Sequence, residues 1–128
     1  MIKQAIIPLA GLGTRMLPLT SVIPKELMPI NGKPNLQYIL DECIEAGIKE
    51  FIFIISKNKL SIKKYFFNDN FYKKIIKKKK DKRLIQEFKK IKKYQKMIKF
   101  VYQNNPKGTG DAVLKCKKLI KNNYFLML

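Results

Sequence analysis

Short apolar runs alternate with segments of helical periodicity along this chain, and the alternation limits the fold more than any other feature. The runs are Gln4 to Leu9, Phe51 to Ile55, Phe100 to Tyr102 and Tyr124 to Leu128. Each is the length of a strand and largely apolar on both sides, as strands of a parallel sheet covered on both faces are. The pattern predicts an α/β fold with a mostly parallel sheet that stops after about four strands.

The segments between these runs predict the helices. Apolar residues at helical spacing occupy residues 36 to 44, 61 to 66, 71 to 97 and 112 to 120. Gly47 is expected to end the first helix, and Ser61 to cap the second. The long segment 10 to 35 holds Pro18, Pro24, Pro29 and Pro34, and an irregular segment of that length is usually functional.

The high net charge of the chain does not by itself indicate a binding partner. The 128 residues are expected to form a single domain, residues 1 to 128, with a formal net charge of +19. All but two of the 28 basic residues are lysine, the exceptions being Arg15 and Arg83. We interpret most lysines as solvated surface residues, so no specific nucleic acid is expected as a partner. The alternative is a polyanion-binding surface at Lys77 to Lys80.

The sequence also predicts the cellular location and the state of the cysteines. No apolar stretch approaches the roughly 20 residues of a membrane span, so no membrane partner is expected. The N-terminus has no long apolar segment of the kind found in secretion signals, which favours a cytoplasmic location. Cys43 and Cys116 are therefore expected to be reduced thiols, and their positions on the predicted helices favour packing in the core.

The segment AGLGTRMLP, Ala10 to Pro18, directly follows the first predicted strand. A dinucleotide fingerprint would need a third glycine at position 16, which is Met16, and no Walker A string occurs. The alternatives are a structural turn or a phosphate-binding loop. Glycines allow backbone N–H groups to approach an anion, and Arg15 and Lys25 add positive charge nearby. The combination favours the phosphate-binding interpretation.

Two motifs resemble bacterial UTP–glucose-1-phosphate uridylyltransferases. The first is AGLGTRMLPLTSVIPKELMP, residues 10 to 29, and the second is QNNPKGTGDAV, residues 103 to 113. Related thymidylyltransferases carry a G-G-x-G-T-R loop instead, so the sequence is more similar to the uridylyl branch, with the cytidylyl branch more distant. The resemblance implies a Rossmann-like nucleotidyltransferase fold.

The same resemblance implies a reaction in which UTP and glucose 1-phosphate give UDP-glucose and pyrophosphate. It assigns catalytic roles to Arg15 and Lys25, as cationic clamps on the phosphates. It assigns nucleotide binding to Leu9, Ala10, Gly11, Leu12, Gly13, Thr14, Glu26, Gln103 and Gly108. Glu26 is expected near the uracil, the alternative being a surface carboxylate that balances local lysines. The family's Mg²⁺ is expected to use an aspartate beyond Leu128, so no metal ligand is assigned within residues 1 to 128.

Two positions of the second motif depart from the family pattern. Position 111 is Asp111 where the family usually has histidine, and position 109 is Thr109 where it usually has leucine. The chain is expected to be an N-terminal fragment or a shortened gene product of such an enzyme, with little or no turnover by itself. A homo-oligomer is expected for the full-length enzyme. The rival hypothesis is a nucleotide-binding module without catalysis.

Overall fold

A computed structural model of the chain describes residues 1–105 and 107–128. Position 106, inside the predicted loop from 103 to 110, lies outside the described residues. Within the described residues, the strands are β1 (Gln4–Pro8), β2 (Pro29–Ile30), β3 (Lys33–Pro34), β4 (Glu50–Ile55), β5 (Ile98–Tyr102) and β6 (Leu126–Met127). The α-helices are α1 (Asn35–Glu45), α2 (Leu60–Phe67), α3 (Asp69–Lys79), α4 (Lys82–Gln95) and α5 (Thr109–Lys115).

Four of these strands form one sheet in the order β5-β4-β1-β6, and every neighbouring pair in it is parallel. This confirms the predicted α/β class and the short parallel sheet. The remaining two strands form a small antiparallel hairpin within the long segment between β1 and α1. That segment also contains one-turn 3₁₀ helices at Thr14–Met16, Leu19–Ser21 and Lys25–Leu27.

The sheet is covered on both faces because successive side chains of its strands, which point to opposite faces, are apolar. On one face, Phe51 and Phe53 of β4 pack in a buried cluster with side chains of α1, α2 and α4. On the other face, Ile52 and Ile54 pack with Cys116 and with Ala112 of α5. Both cysteines are buried and free, as predicted. The result is a three-layer sandwich whose inner strands are β4 and β1.

Two helix predictions need correction. Ser61 does not cap α2, because the helix begins at Leu60 and continues directly from a 3₁₀ turn at Lys57–Lys59. The segment 71 to 97 is helical but not one helix. Lys80 adopts a left-handed conformation with φ of 49°, and the side chain of Asp81 then caps α4 through the backbone N–H groups of Arg83 and Leu84.

Smaller differences concern element boundaries. β5 begins at Ile98, two positions before the predicted start, because its backbone pairs with β4 from that residue onward. The predicted helix from 112 to 120 is α5 followed by a 3₁₀ turn at Lys117–Leu119. No helix in the described part of the chain combines the length and apolarity needed to cross a membrane.

Phe66 of α2 contacts both the sheet and α4, and its removal is expected to destabilise the fold. The side chain is fully buried, and its ring packs edge-to-face on Phe53 at 5.9 Å and on Tyr94 at 5.9 Å. Phe66→Ala should lower the free energy of unfolding by about 3–5 kcal/mol, measured by urea denaturation. Phe71→Ala, at an exposed position of α3, is the control and should cost less than ~1 kcal/mol. Equal losses in the two variants would contradict this description of the core.

Candidate nucleotide-binding site

The glycine loop begins where β1 ends. Leu9 and Ala10 are buried, and the backbone N–H of Leu9 donates to the carbonyl of Ile54 in β4 at 2.7 Å. The chain leaves the core at Gly11, which is exposed. The loop therefore starts from a fixed point at the carboxyl end of the sheet, where parallel α/β folds bind their ligands.

Gly13 gives the loop its turn. Its φ of 64° lies in the left-handed region, which a residue with a Cβ rarely adopts. A Cβ at this position would also lie 3.1 Å from Cγ2 of Thr20. The Thr20 hydroxyl donates to the Gly13 carbonyl at 2.7 Å, and the Met16 N–H donates to the same carbonyl at 3.1 Å. These contacts fold the loop into the 3₁₀ turn that carries Thr14 and Arg15.

The two predicted cations lie around one cavity. A cavity of about 520 Å³ is lined by Gly13, Thr14, Arg15, Met16 and Lys25. Neither Arg15 nor Lys25 forms an ion pair with any residue that the structure describes. The cavity therefore offers a guanidinium, an ammonium and the polar atoms of a glycine turn, a combination suited to phosphate oxygens.

The segment that carries Lys25 is anchored by its neighbour. Glu26 is only 8% exposed, and its Oε2 accepts a hydrogen bond at 3.0 Å from Nζ of Lys59, which is 5% exposed. The alternative prediction for Glu26, a surface carboxylate, is wrong, because the carboxylate is buried in this ion pair. Whether Glu26 lies near a bound base stays a prediction.

Lys59 is a site residue that sequence reasoning missed. It ends the 3₁₀ turn after β4 and lines a second cavity, of about 420 Å³, together with Leu12 and Thr14 of the glycine loop. The ion pair thus joins the segment after β4 to the segment that carries Lys25. Nothing in the sequence distinguishes Lys59 from the other lysines. Its burial in the structure does.

The second motif lies at the carboxyl end of β5. The side chain of Gln103 is 4% exposed, and its Nε2 donates to Oδ2 of Asp111 at 2.9 Å and to the Gly108 carbonyl at 3.4 Å. Gly108 has φ of 94° and ψ of 177°, a backbone region open essentially to glycine alone, immediately before α5. Gly108 is therefore required by the turn itself.

The structure brings the two motifs to the same edge of the sheet. The backbone N–H of Gln103 donates to the carbonyl of Ile55 at 2.9 Å, next to the Ile54 carbonyl that holds Leu9. Because β4 lies between β1 and β5, the motifs begin two strand spacings apart, about 10 Å. The structure places Gly13, Thr14, Arg15 and Lys25 around one cavity, whereas Gln103 and Gly108 lie on the other side of β4.

The described residues do not fit a magnesium site. No group of three or more acidic, histidine or cysteine side chains lies close enough to hold a metal ion among residues 1–105 and 107–128. The acidic side chain beside the glycine loop, Glu26, is engaged by Lys59.

Comparison with known proteins identifies the family. Residues 4–128 match the model of the family described as nucleotidyl transferase. This chain belongs to the nucleotidyl transferase family. Among curated relatives, it is 42% identical over 130 residues to UTP–glucose-1-phosphate uridylyltransferase of Mycoplasma pneumoniae, covering 99% of this chain and 43% of that protein. The same enzyme of Haemophilus influenzae is 38% identical, covering 98% of this chain and 42% of that protein.

A solved nucleotidyl transferase shares the fold. UTP-bound UGPase from Acinetobacter baumannii superimposes with a TM-score of 0.90 and 36% identity, over 100% of this chain and 45% of that one. The chain thus spans less than half the length of the relatives it matches, and the match lies on their N-terminal part.

Breaking the buried ion pair should cost stability. Lys59→Met leaves the Glu26 carboxylate buried without its partner, and we expect a loss of about 3–5 kcal/mol in the free energy of unfolding. The double variant Lys59→Met, Glu26→Met should recover most of that loss, since no charge is then left unpaired.

The control for this prediction is Lys64→Met, at an exposed lysine of α2. It should change stability by less than ~0.5 kcal/mol in the same urea titrations. If Lys59→Met cost no more than Lys64→Met, the ion pair would not be the restraint described here.

Proposed function

We propose that this chain forms the UTP-binding part of a uridylyltransferase that converts UTP and glucose 1-phosphate into UDP-glucose and pyrophosphate. The observation that carries the proposal is the cavity where Gly13, Thr14, Arg15 and Lys25 meet, in a chain of this family. The names of the relatives supply the choice of UTP and glucose 1-phosphate.

The reaction asks for positioning and charge neutralisation. A phosphate oxygen of the sugar phosphate forms a bond to the α-phosphorus of UTP. The bond from that phosphorus to the oxygen bridging it to the β-phosphorus breaks, and pyrophosphate leaves with the electron pair. Because both reactants are anions, the positive charges of Arg15 and Lys25 lower the repulsion between them and stabilise the leaving group. No proton needs to be moved, so the reaction does not require a histidine.

In this proposal the remaining residues hold the nucleotide. Leu9, Ala10 and Gly11 contact the nucleoside, and residues 11 to 15 wrap around the phosphates. Gln103 and Gly108 contact the base, and Glu26 lies close to it. Burial of Leu9, Ala10 and Gln103 at the sheet edge supports the idea that the nucleoside lies deeper than the phosphates, which meet the exposed Arg15 and Lys25. Magnesium, the homo-oligomer and the cytoplasmic location stay predictions.

Removing Arg15 should weaken UTP binding. A charged hydrogen-bond donor on a phosphate contributes about 1.5–3 kcal/mol, so Arg15→Ala should raise the Kd for UTP by roughly 10- to 100-fold in isothermal titration calorimetry. Arg83→Ala, which removes the other arginine, exposed in the first turn of α4, is the matched control and should leave the Kd unchanged.

The same titrations separate this proposal from general attraction of polyanions to a lysine-rich surface. A surface effect would lose affinity equally in Arg15→Ala and Arg83→Ala and would fall steeply with salt for any anion. If the wild-type chain bound UTP and Arg15→Ala bound it equally tightly, the assignment of the glycine loop to the phosphates would be wrong.

A further inference from the structure

The hydrogen bond from Gln103 to Asp111 fixes which way the Gln103 amide points. An amide end can be NH₂ or oxygen, and the two are told apart by their partners. Oδ2 of Asp111 lies 2.9 Å from the end assigned as Nε2, and an ionised carboxylate can only accept hydrogen bonds. The end that faces Asp111 must therefore be the NH₂ group.

The rest of the amide environment leaves the oxygen free. The second bond of Nε2, to the Gly108 carbonyl at 3.4 Å, also requires a donor at this end. Both hydrogen bonds of the Gln103 side chain in the described part of the chain are donated by Nε2, and none is accepted by Oε1. Oε1 is also not fully buried. Among the described side chains, the polar atom that is fully buried and has no hydrogen-bond partner is Oγ of Ser56. Gln103 therefore presents an acceptor with its hydrogen-bonding capacity unused.

We propose that Asp111 is a specificity-determining residue that makes Gln103 a fixed acceptor for an N–H group of the nucleobase. This inference rests on the proposed function, because it takes the Gln103 side of the site to be the base pocket. Asp111 acts through Gln103 and is a positioning residue rather than a catalytic one. It occupies the position at which the resembling enzymes usually have histidine.

A fixed acceptor at Gln103 would distinguish between the pyrimidine bases. Uracil and thymine carry a hydrogen on N3, which Oε1 of Gln103 can accept. Cytosine has a lone pair on N3 instead, which would face the lone pairs of Oε1. A site that hydrogen-bonds one edge discriminates strongly against a ligand whose edge has the opposite polarity, because a buried polar atom is then left without a partner.

The energy of one buried hydrogen bond sets the expected selectivity. A loss of about 1.4 kcal/mol corresponds to a tenfold change in Kd. The wild-type chain should therefore bind UTP and dTTP with similar affinity, and CTP at least roughly tenfold more weakly. An amide free to rotate by 180° would offer NH₂ to the N3 of cytosine and would lose most of this preference.

The test is the ratio of the Kd for CTP to the Kd for UTP, measured by calorimetry on the 128-residue chain and its variants. Asp111→Asn keeps the size of the side chain but can donate as well as accept, so position 111 no longer excludes the flipped amide. Only the longer bond to the Gly108 carbonyl, at 3.4 Å, then favours one orientation of Gln103. The ratio should fall from roughly ten or more toward one. Because both nucleotides are measured on the same protein, a partly unfolded variant changes both constants but not their ratio.

Two controls make the outcome specific. Glu45→Gln removes one negative charge at an exposed position of α1, and it should leave the ratio at its wild-type value. Gln103→Ala should lower the ratio as Asp111→Asn does, since both remove the fixed acceptor. A ratio unchanged in Asp111→Asn, or a wild-type ratio near one, would overturn the inference while leaving UTP binding through Arg15 intact. A wild-type chain that bound no nucleoside triphosphate would instead overturn the proposed function and this inference with it.

Discussion

Strand β4 is the element on which the rest of the molecule depends. It pairs in parallel with β1 on one side and β5 on the other, and Phe51 to Ile55 are buried on both faces. Its last two carbonyls, at Ile54 and Ile55, accept the first backbone hydrogen bonds of the glycine loop and of the Gln103 segment. The two motifs, about 90 residues apart in the chain, are held side by side because one strand ends between them.

The sequence allowed prediction of the features that depend on local periodicity and on glycine. Buried strands are continuous apolar runs, so the sheet could be predicted, and the left-handed turn at Gly13 and the unusual backbone at Gly108 need glycine. Phe71 to Met97 could be predicted as helical but not as two helices. The helices are separated by Lys80, which adopts a left-handed conformation, and by Asp81, which caps α4. A lysine in the sequence does not predict a left-handed conformation.

What could not be predicted is the set of polar contacts between distant segments. Lys59 and Glu26 are 33 positions apart, and nothing in the local sequence separates this lysine from the solvated ones. The same holds for Asp111, which in sequence is only a departure from a family pattern. Its meaning depends on the amide of Gln103 lying within 2.9 Å. Such pairs form only when the fold brings distant segments together, so they cannot be predicted from periodicity or composition.

The net charge of +19 and the buried pair of Lys59 and Glu26 illustrate how the fold gives identical side chains different environments. In α3 and α4 most lysines are exposed on the solvent side of amphipathic helices, where their long stems and charges cost little and bring little stability. Lys59 is the lysine that is buried among the described residues, and it is the one with a buried carboxylate beside it. A buried charge needs a partner, and Glu26 is the partner that compensates the burial of Lys59.

Glu26 and Asp111 play equivalent parts on the two sides of β4. Each is an acidic side chain that engages a neighbour by a charge-assisted hydrogen bond, Glu26 through Lys59 and Asp111 through Gln103. Charge-assisted bonds are stronger and more directional than neutral ones, so they hold exposed loops that packing alone leaves free. On the glycine-loop side, the bond between Glu26 and Lys59 holds the segment that carries Lys25. On the other side, the bond between Asp111 and Gln103 fixes which end of the Gln103 amide is the donor. In a chain with 28 basic and only nine acidic residues, two of the carboxylates thus hold a lysine and a glutamine near the carboxyl end of the sheet.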